Sequence, residues 1–253
     1  MGLVFASDVD DTLVPLAVHI MDKINSSRIN HRETKKFGDI RLYNLEQSLE
    51  AEREEISNIL MSFSNNNDGF INLSNLDFFE GVKDTLSYIK NKTSAIYLIT
   101  SRDSSMYGNE IKIITENFFK KHKVQYTEIL YSSTKVEYLK QYKVNIFAED
   151  KPDVIRNALC DKDLNDILKK IFIIKRPWNE VSEYDDVVME RHLQKAKNTD
   201  EIKRIISLYN EKKEIIEIIK NDERAIYVDS WNGNNKDDVL SHFKKFIETY
   251  KQY

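Results

Sequence analysis

Short, mainly apolar runs recur along the chain at Leu3–Ala6, Ala95–Ile99, Glu128–Tyr131, Val144–Ala148, Ile171–Ile174 and Ala225–Val228. Runs this short, with little alternation, suit strands buried on both faces, as in a parallel sheet covered by helices. Between them the apolar positions fall at helical spacing, over Gly81–Lys92, Asn109–His122, Val136–Gln141 and Asp153–Leu159. Strand and helix in alternation predict an α/β fold: a Rossmann-like parallel sheet of five or six strands flanked by helices. Ligands of such sheets gather beyond the carboxyl ends of the strands.

The interval between the first two strands is too long for a loop. It holds helical patterns at Leu16–Ser26 and Leu45–Phe63, then a polar stretch from Ser64 to Gly69. This predicts a small helical cap over 15–77, inserted after strand one into a core of 1–14 and 78–253. A second interval, 181–224, reads as two charged helices. Its segment 211–220, EKKEIIEIIK, predicts an amphipathic helix packed on the core.

Composition narrows the class. With 6 glycines and 3 prolines in 253 residues, a turn-rich β sandwich is disfavoured. The net charge of −4 comes from interleaved charges, which argues against a nucleic-acid partner needing a concentrated basic face. No run approaches the roughly 18 apolar residues of a membrane span. The opening MGLVFASDVDD reaches acids too early for a secretory signal, so a cytoplasmic protein is expected. Cys160 is the single cysteine and is expected to be a buried apolar residue.

The strand ends carry the chemistry. In order they read Ser7-Asp8-Val9-Asp10-Asp11-Thr12, then Thr100-Ser101-Arg102, then Ser132-Ser133-Thr134-Lys135, then Glu149-Asp150-Lys151-Pro152-Asp153. Phosphoryl transfer needs such a set. A phosphate dianion repels an anionic nucleophile unless a metal and a cation neutralise it. Mg²⁺ prefers one or two carboxylates with substrate phosphate and water, which Asp8 and Asp150 can supply. Asp8 can also attack phosphorus, and Asp10 can serve as general acid and base. Thr100 and Ser101 can bind a phosphate oxygen, and Lys135 can hold its charge.

DVDDT at 8–12 resembles the first motif of the haloacid-dehalogenase-like (HAD) hydrolases. Thr100, Lys135 and the Glu149-Asp150 pair with Asp153 resemble the second, third and fourth motifs in order. The likeness covers about 1–16 and 78–178. It implies Mg²⁺, with Asp8 as nucleophile and metal ligand and Asp10 as acid/base, reaching the metal through its backbone carbonyl. Thr100 and Lys135 would bind phosphate and Asp150 would complete the metal site, with Glu149, Asp153 and Thr12 supporting from behind. The cap, FFEGVKDTLSYIK at 78–90 and KRPWN at 175–179 resemble the 5′(3′)-deoxyribonucleotidase branch. That implies a nucleoside or deoxynucleoside monophosphate as substrate and base-stacking cap aromatics, here Phe37, Tyr43, Phe63 and Phe70. The alternatives are a sugar-phosphate phosphatase, a nucleic-acid 3′-end phosphatase and a catalytically idle phosphate-binding protein.

Other residues read more plainly. A calcium loop at 8–19 lacks the glycine and the closing glutamate, having Leu13 and His19 there. The five histidines lack metal-ligand spacing. Arg102 touches substrate or pairs with Asp103. Lys175-Arg176 reads as a solvated turn or as a phosphate or base contact near the mouth, and Trp178 and Trp231 as packing residues.

Overall fold

The computed structural model describes residues 2–27, 34–61, 76–103, 105, 108, 110–232 and 237–250. Its centre is a six-stranded sheet formed by β1 (Val4–Ser7), β2 (Ala95–Thr100), β3 (Glu128–Tyr131), β4 (Ile146–Glu149), β5 (Lys170–Ile174) and β6 (Ala225–Val228). The order is β3-β2-β1-β4-β5-β6, and every pairing is parallel. β1 pairs with β2 on one side and β4 on the other, so the strand order reverses there. A crevice opens at such a reversal, beyond the carboxyl ends of the strands.

Alternation within the strands explains the continuous apolar runs. Phe5, Leu98, Ile146 and Phe172 join one core layer, packed with α4 (Val82–Lys90), α5 (Ile111–Lys121) and α10 (Val239–Tyr250). Ala6, Ile99, Phe147 and Ile171 join the opposite layer, with α6 (Lys135–Gln141), α7 (Pro152–Cys160) and α9 (Thr199–Lys220). Both faces are covered, so neither strand face needs polar residues. The amphipathic segment at 211–220 lies in α9, where Ile215 and Ile219 enter this second layer.

The stretch after β1 is helical where described: α1 (Leu16–Ser27), a 3₁₀ turn at Phe37–Asp39, α2 (Leu45–Leu49) and α3 (Arg53–Met61). The single pattern expected over Leu45–Phe63 is broken because Glu50 takes a left-handed conformation at φ 51 and caps α2. Its carboxylate is held there by Lys35 at 2.6 Å and Lys195 at 3.0 Å. Phe63, Phe70 and the polar stretch Ser64–Gly69 lie outside the described residues.

The charged helices expected in 181–224 are α8 (Tyr184–Lys195) and α9. They meet the α2 region across a seam. Leu42 packs with Ile205 and Tyr209, and Asp185 Oδ1 accepts from Arg41 Nε at 2.6 Å and Lys212 Nζ at 2.7 Å. Cys160 corrects an expectation. It is exposed, because α7 turns Ile155, Ala158 and Leu159 inward and leaves its last residue on the outer side. Among the described residues, no helix is long and apolar enough to cross a membrane.

Candidate active site

The chain leaves β1 through a tight loop. Asp8 N–H donates to the Ala148 carbonyl at 2.9 Å, and the Val9 carbonyl accepts from Leu13 and Val14 N–H at 2.8 and 3.0 Å. Closing this turn puts Asp11 at φ 58, a left-handed conformation that aspartate tolerates better than most residues. Asp11 Oδ1 accepts from Ala17 N–H at 2.8 Å, tying the loop to the first turn of α1. At the neighbouring strand end, Glu149 and Asp150 leave β4 just before Pro152 opens α7.

These two ends bring three carboxylates together. One oxygen from each of Asp8, Glu149 and Asp150 lies within 4.8 Å of the others, and all three residues are buried. Lys135, the first residue of α6, donates to Asp8 Oδ1 and, at 2.8 Å, to Glu149 Oε2. The other Glu149 oxygen accepts the Asp150 and Lys151 N–H groups at 3.0 Å each. Asp150 Oδ1 accepts from Thr12 Oγ1 at 2.7 Å, and Oδ2 from Trp178 Nε1 at 3.0 Å.

One ammonium does not balance this cluster. Burial pushes the Asp8 carboxyl up to about 7 despite Lys135, with Glu149 and Asp10 adding to the rise. Burial, then Glu149 and Asp8, push Asp150 well above the usual carboxylate range. Asp11 also rises to about 7, chiefly through burial. For Lys135, burial opposes the charge, but Asp8 and Glu149 outweigh it and raise its pKa. Crowded, desolvated carboxylates of this kind are relieved by a cation. An all-oxygen donor set suits a hard divalent ion such as Mg²⁺.

The remaining expected residues are placed as follows. The Asp10 carboxylate turns to Arg102, which grips it with Nε at 2.9 Å and Nη2 at 2.6 Å. Arg102 is buried and also donates to Thr115 Oγ1 at 3.0 Å, so Asp10 is the carboxylate seen to engage its guanidinium. Thr100 is fully buried, and its hydroxyl accepts from Arg102 N–H at 3.3 Å. Ser101 is exposed and donates to the Ser132 carbonyl at 3.3 Å. Asp153 stands apart from the acids, 3.5 Å from Arg156 on the surface of α7.

Sequence reasoning missed the loop after β5, which straps the two acid loops together. Arg176 is buried, not solvated: its Nε donates to the Asp11 carbonyl at 2.7 Å and its guanidinium lies over Phe79. Asn179 Nδ2 donates to the Asp150 and Ile174 carbonyls at 2.8 Å each, and its Oδ1 accepts from Arg176 N–H. Trp231 Nε1 donates to the Thr12 carbonyl at 2.8 Å. A polar residue after the fifth apolar run gives no local sign of such bonds; only the KRPWN phrase drew attention to it. Beside the strap is a cleft of 310 Å³ lined by Tyr43, Lys151, Trp178, Leu208 and Lys212, among others.

No protein-family model matches the chain. A "Putative nucleotidase" from Bacillus cereus is 24% identical over 161 residues, covering 64% of this chain and 82% of that protein. Among solved structures, a "Putative haloacid dehalogenase-like hydrolase" from Bacteroides fragilis aligns at TM-score 0.47 and 13% identity, over 72% of this chain and 91% of its own. A "predicted phosphoglycolate phosphatase" from Haemophilus somnus aligns at TM-score 0.45 and 16% identity, over 69% and 86%. The sheet order and the helical insertion after β1 match the topology of the HAD core.

Proposed function

We propose that the chain is a HAD-like, Mg²⁺-dependent phosphomonoesterase acting through an aspartyl-phosphate, with nucleoside or deoxynucleoside monophosphates as substrates. The observation that carries this reading is the convergence of Asp8, Glu149 and Asp150 around Lys135 at the reversal of strand order. The nucleotide class is supported by the name of the Bacillus cereus relative and by the aromatic residues Tyr43 and Trp178 in the lining of the adjoining cleft.

Asp8, Asp150 and Glu149 would hold the metal, which supplies the positive charge that lets a carboxylate approach a phosphate. Asp8 forms a bond to phosphorus while the ester P–O bond breaks. Asp10 gives its proton to the departing oxygen, then takes one from the water that attacks phosphorus and frees Asp8. Arg102 pairs with the ionised carboxylate of Asp10, so Asp10 has to leave that ion pair and take up a proton before it serves as the acid. Lys135 lies against Asp8 and would balance phosphate charge through transfer, with Thr100 and Ser101 at the neighbouring strand end as hydrogen-bond donors. Thr12 holds the carboxylate of Asp150 in position.

Hydrolysis of an aryl phosphate and a panel of nucleoside monophosphates, with Mg²⁺ present, tests the reading. Asp8→Asn is expected to lose at least about 10⁴-fold in kcat while remaining folded. Full activity in that variant would remove Asp8 as nucleophile.

A further inference from the structure

Asp150 is held at both carboxylate oxygens by donors from different parts of the chain. Thr12 Oγ1 comes from the loop after β1, and Trp178 Nε1 from the strap after β5. Together they fix the rotation of the carboxylate, and so the directions of its remaining lone pairs. Trp178 is 2% exposed, and its indole is enclosed on another side by Phe37 and Tyr43, both edge-on, at 5.7 and 6.1 Å between ring centres. Its backbone is anchored too. Lys212 Nζ donates to the Pro177 carbonyl at 3.1 Å, and Asn179 spans from the Asp150 carbonyl to the end of β5.

We propose that Trp178 is a positioning residue for Asp150, aiming that carboxylate at a divalent cation. The inference rests on the metal reading above and assigns Trp178 a role there. Partners behind a metal's ligands orient them, and their loss typically weakens metal binding 10–100-fold. Its ring packing and its N–H bond are separable. Trp178→Phe keeps an aromatic ring against Phe37 and Tyr43 but leaves Asp150 Oδ2 without its donor.

Calorimetric titration of the full chain with Mg²⁺, without substrate, separates the two roles. Trp178→Phe is expected to bind Mg²⁺ at least about tenfold more weakly than wild type, with a closely similar unfolding midpoint. Equal affinity in the two proteins would reduce Trp178 to packing and overturn the inference while leaving the metal reading standing. Absence of Mg²⁺ binding in wild type would overturn both. A second readout is made on the wild-type protein. The chain has two tryptophans, hence two indole N–H resonances, which either single Trp→Phe variant assigns. The Trp178 resonance should shift as Mg²⁺ fills the site, and a resonance unmoved at saturation would contradict the proposal.

Discussion

Asp150 and Asp185 are both buried, at 1% and 0% exposure, yet their surroundings drive them in opposite directions. Among the described residues, Asp150 shares its space with Asp8 and Glu149 and one ammonium, and its pKa rises well above the ordinary range. Burial acts on Asp185 in the same sense, but hydrogen bonds from Arg41 and Lys212 overcome it and lower its pKa. There the strain falls on the cation. Burial brings Lys212 down to about 8, with Arg41 adding to the effect and Asp185 resisting it. The first cluster is short of positive charge and the second has a surplus. A buried carboxylate with two cations is a finished structural link. A buried acid cluster with one ammonium awaits a further cation.

The contrast breaks most visibly at the seam. Asp185→Asn leaves Arg41 and Lys212 buried without their carboxylate, and should cost about 3–5 kcal/mol in urea unfolding. A loss below 1 kcal/mol would mean that the triad is not the link described.

His192 sharpens the same region through pH. It is buried beside Tyr209, and burial lowers its pKa from 6.5 to about 4, with Glu50 resisting and Lys35 and Lys195 assisting. Between those values the unfolded chain binds the proton that the folded chain refuses. The contribution is therefore complete above about pH 6.5 and is lost as pH falls toward 4, by roughly 2–3 kcal/mol. His192→Gln should flatten that part of the stability profile, and an unchanged slope would assign the loss to other groups.

The smallest effect is a near-cancellation. In metal-free protein, Asp150→Asn removes a carboxyl whose ionised form the fold disfavours, but its NH2 replaces an oxygen that accepts from Thr12 or Trp178, so the lost hydrogen bond of about 1–3 kcal/mol should be partly offset at pH 8. A loss in chemical unfolding well beyond that range would show that the acid cluster is already balanced without a cation.

Much of this molecule is legible in its sequence because parallel strands are short apolar runs and their ends are polar. Glu128–Tyr131 and Ala225–Val228 match the strands residue for residue. Asp8, Lys135 and Asp150 each stand where such a run ends or a helix begins, so position on the chain predicted position at the crevice. The strap could not be read in this way. The bond from Trp178 to Asp150 joins residues 28 positions apart, and an indole in a sequence looks the same whether its N–H meets a carboxylate or a carbonyl. Arg102 stands next to Asp103, yet the fold brings Asp10 to its guanidinium from 92 positions away. The break at Glu50 escaped for a related reason: its cations, Lys35 and Lys195, come from distant segments.

Thermal unfolding with and without saturating Mg²⁺, in wild type and Asp150→Asn, bears most directly on the central claim. The ion should raise the wild-type midpoint by mass action and leave that of the variant nearly unchanged. A wild-type midpoint indifferent to Mg²⁺, or an equal rise in both proteins, would contradict a cation site at the carboxyl ends of β1 and β4.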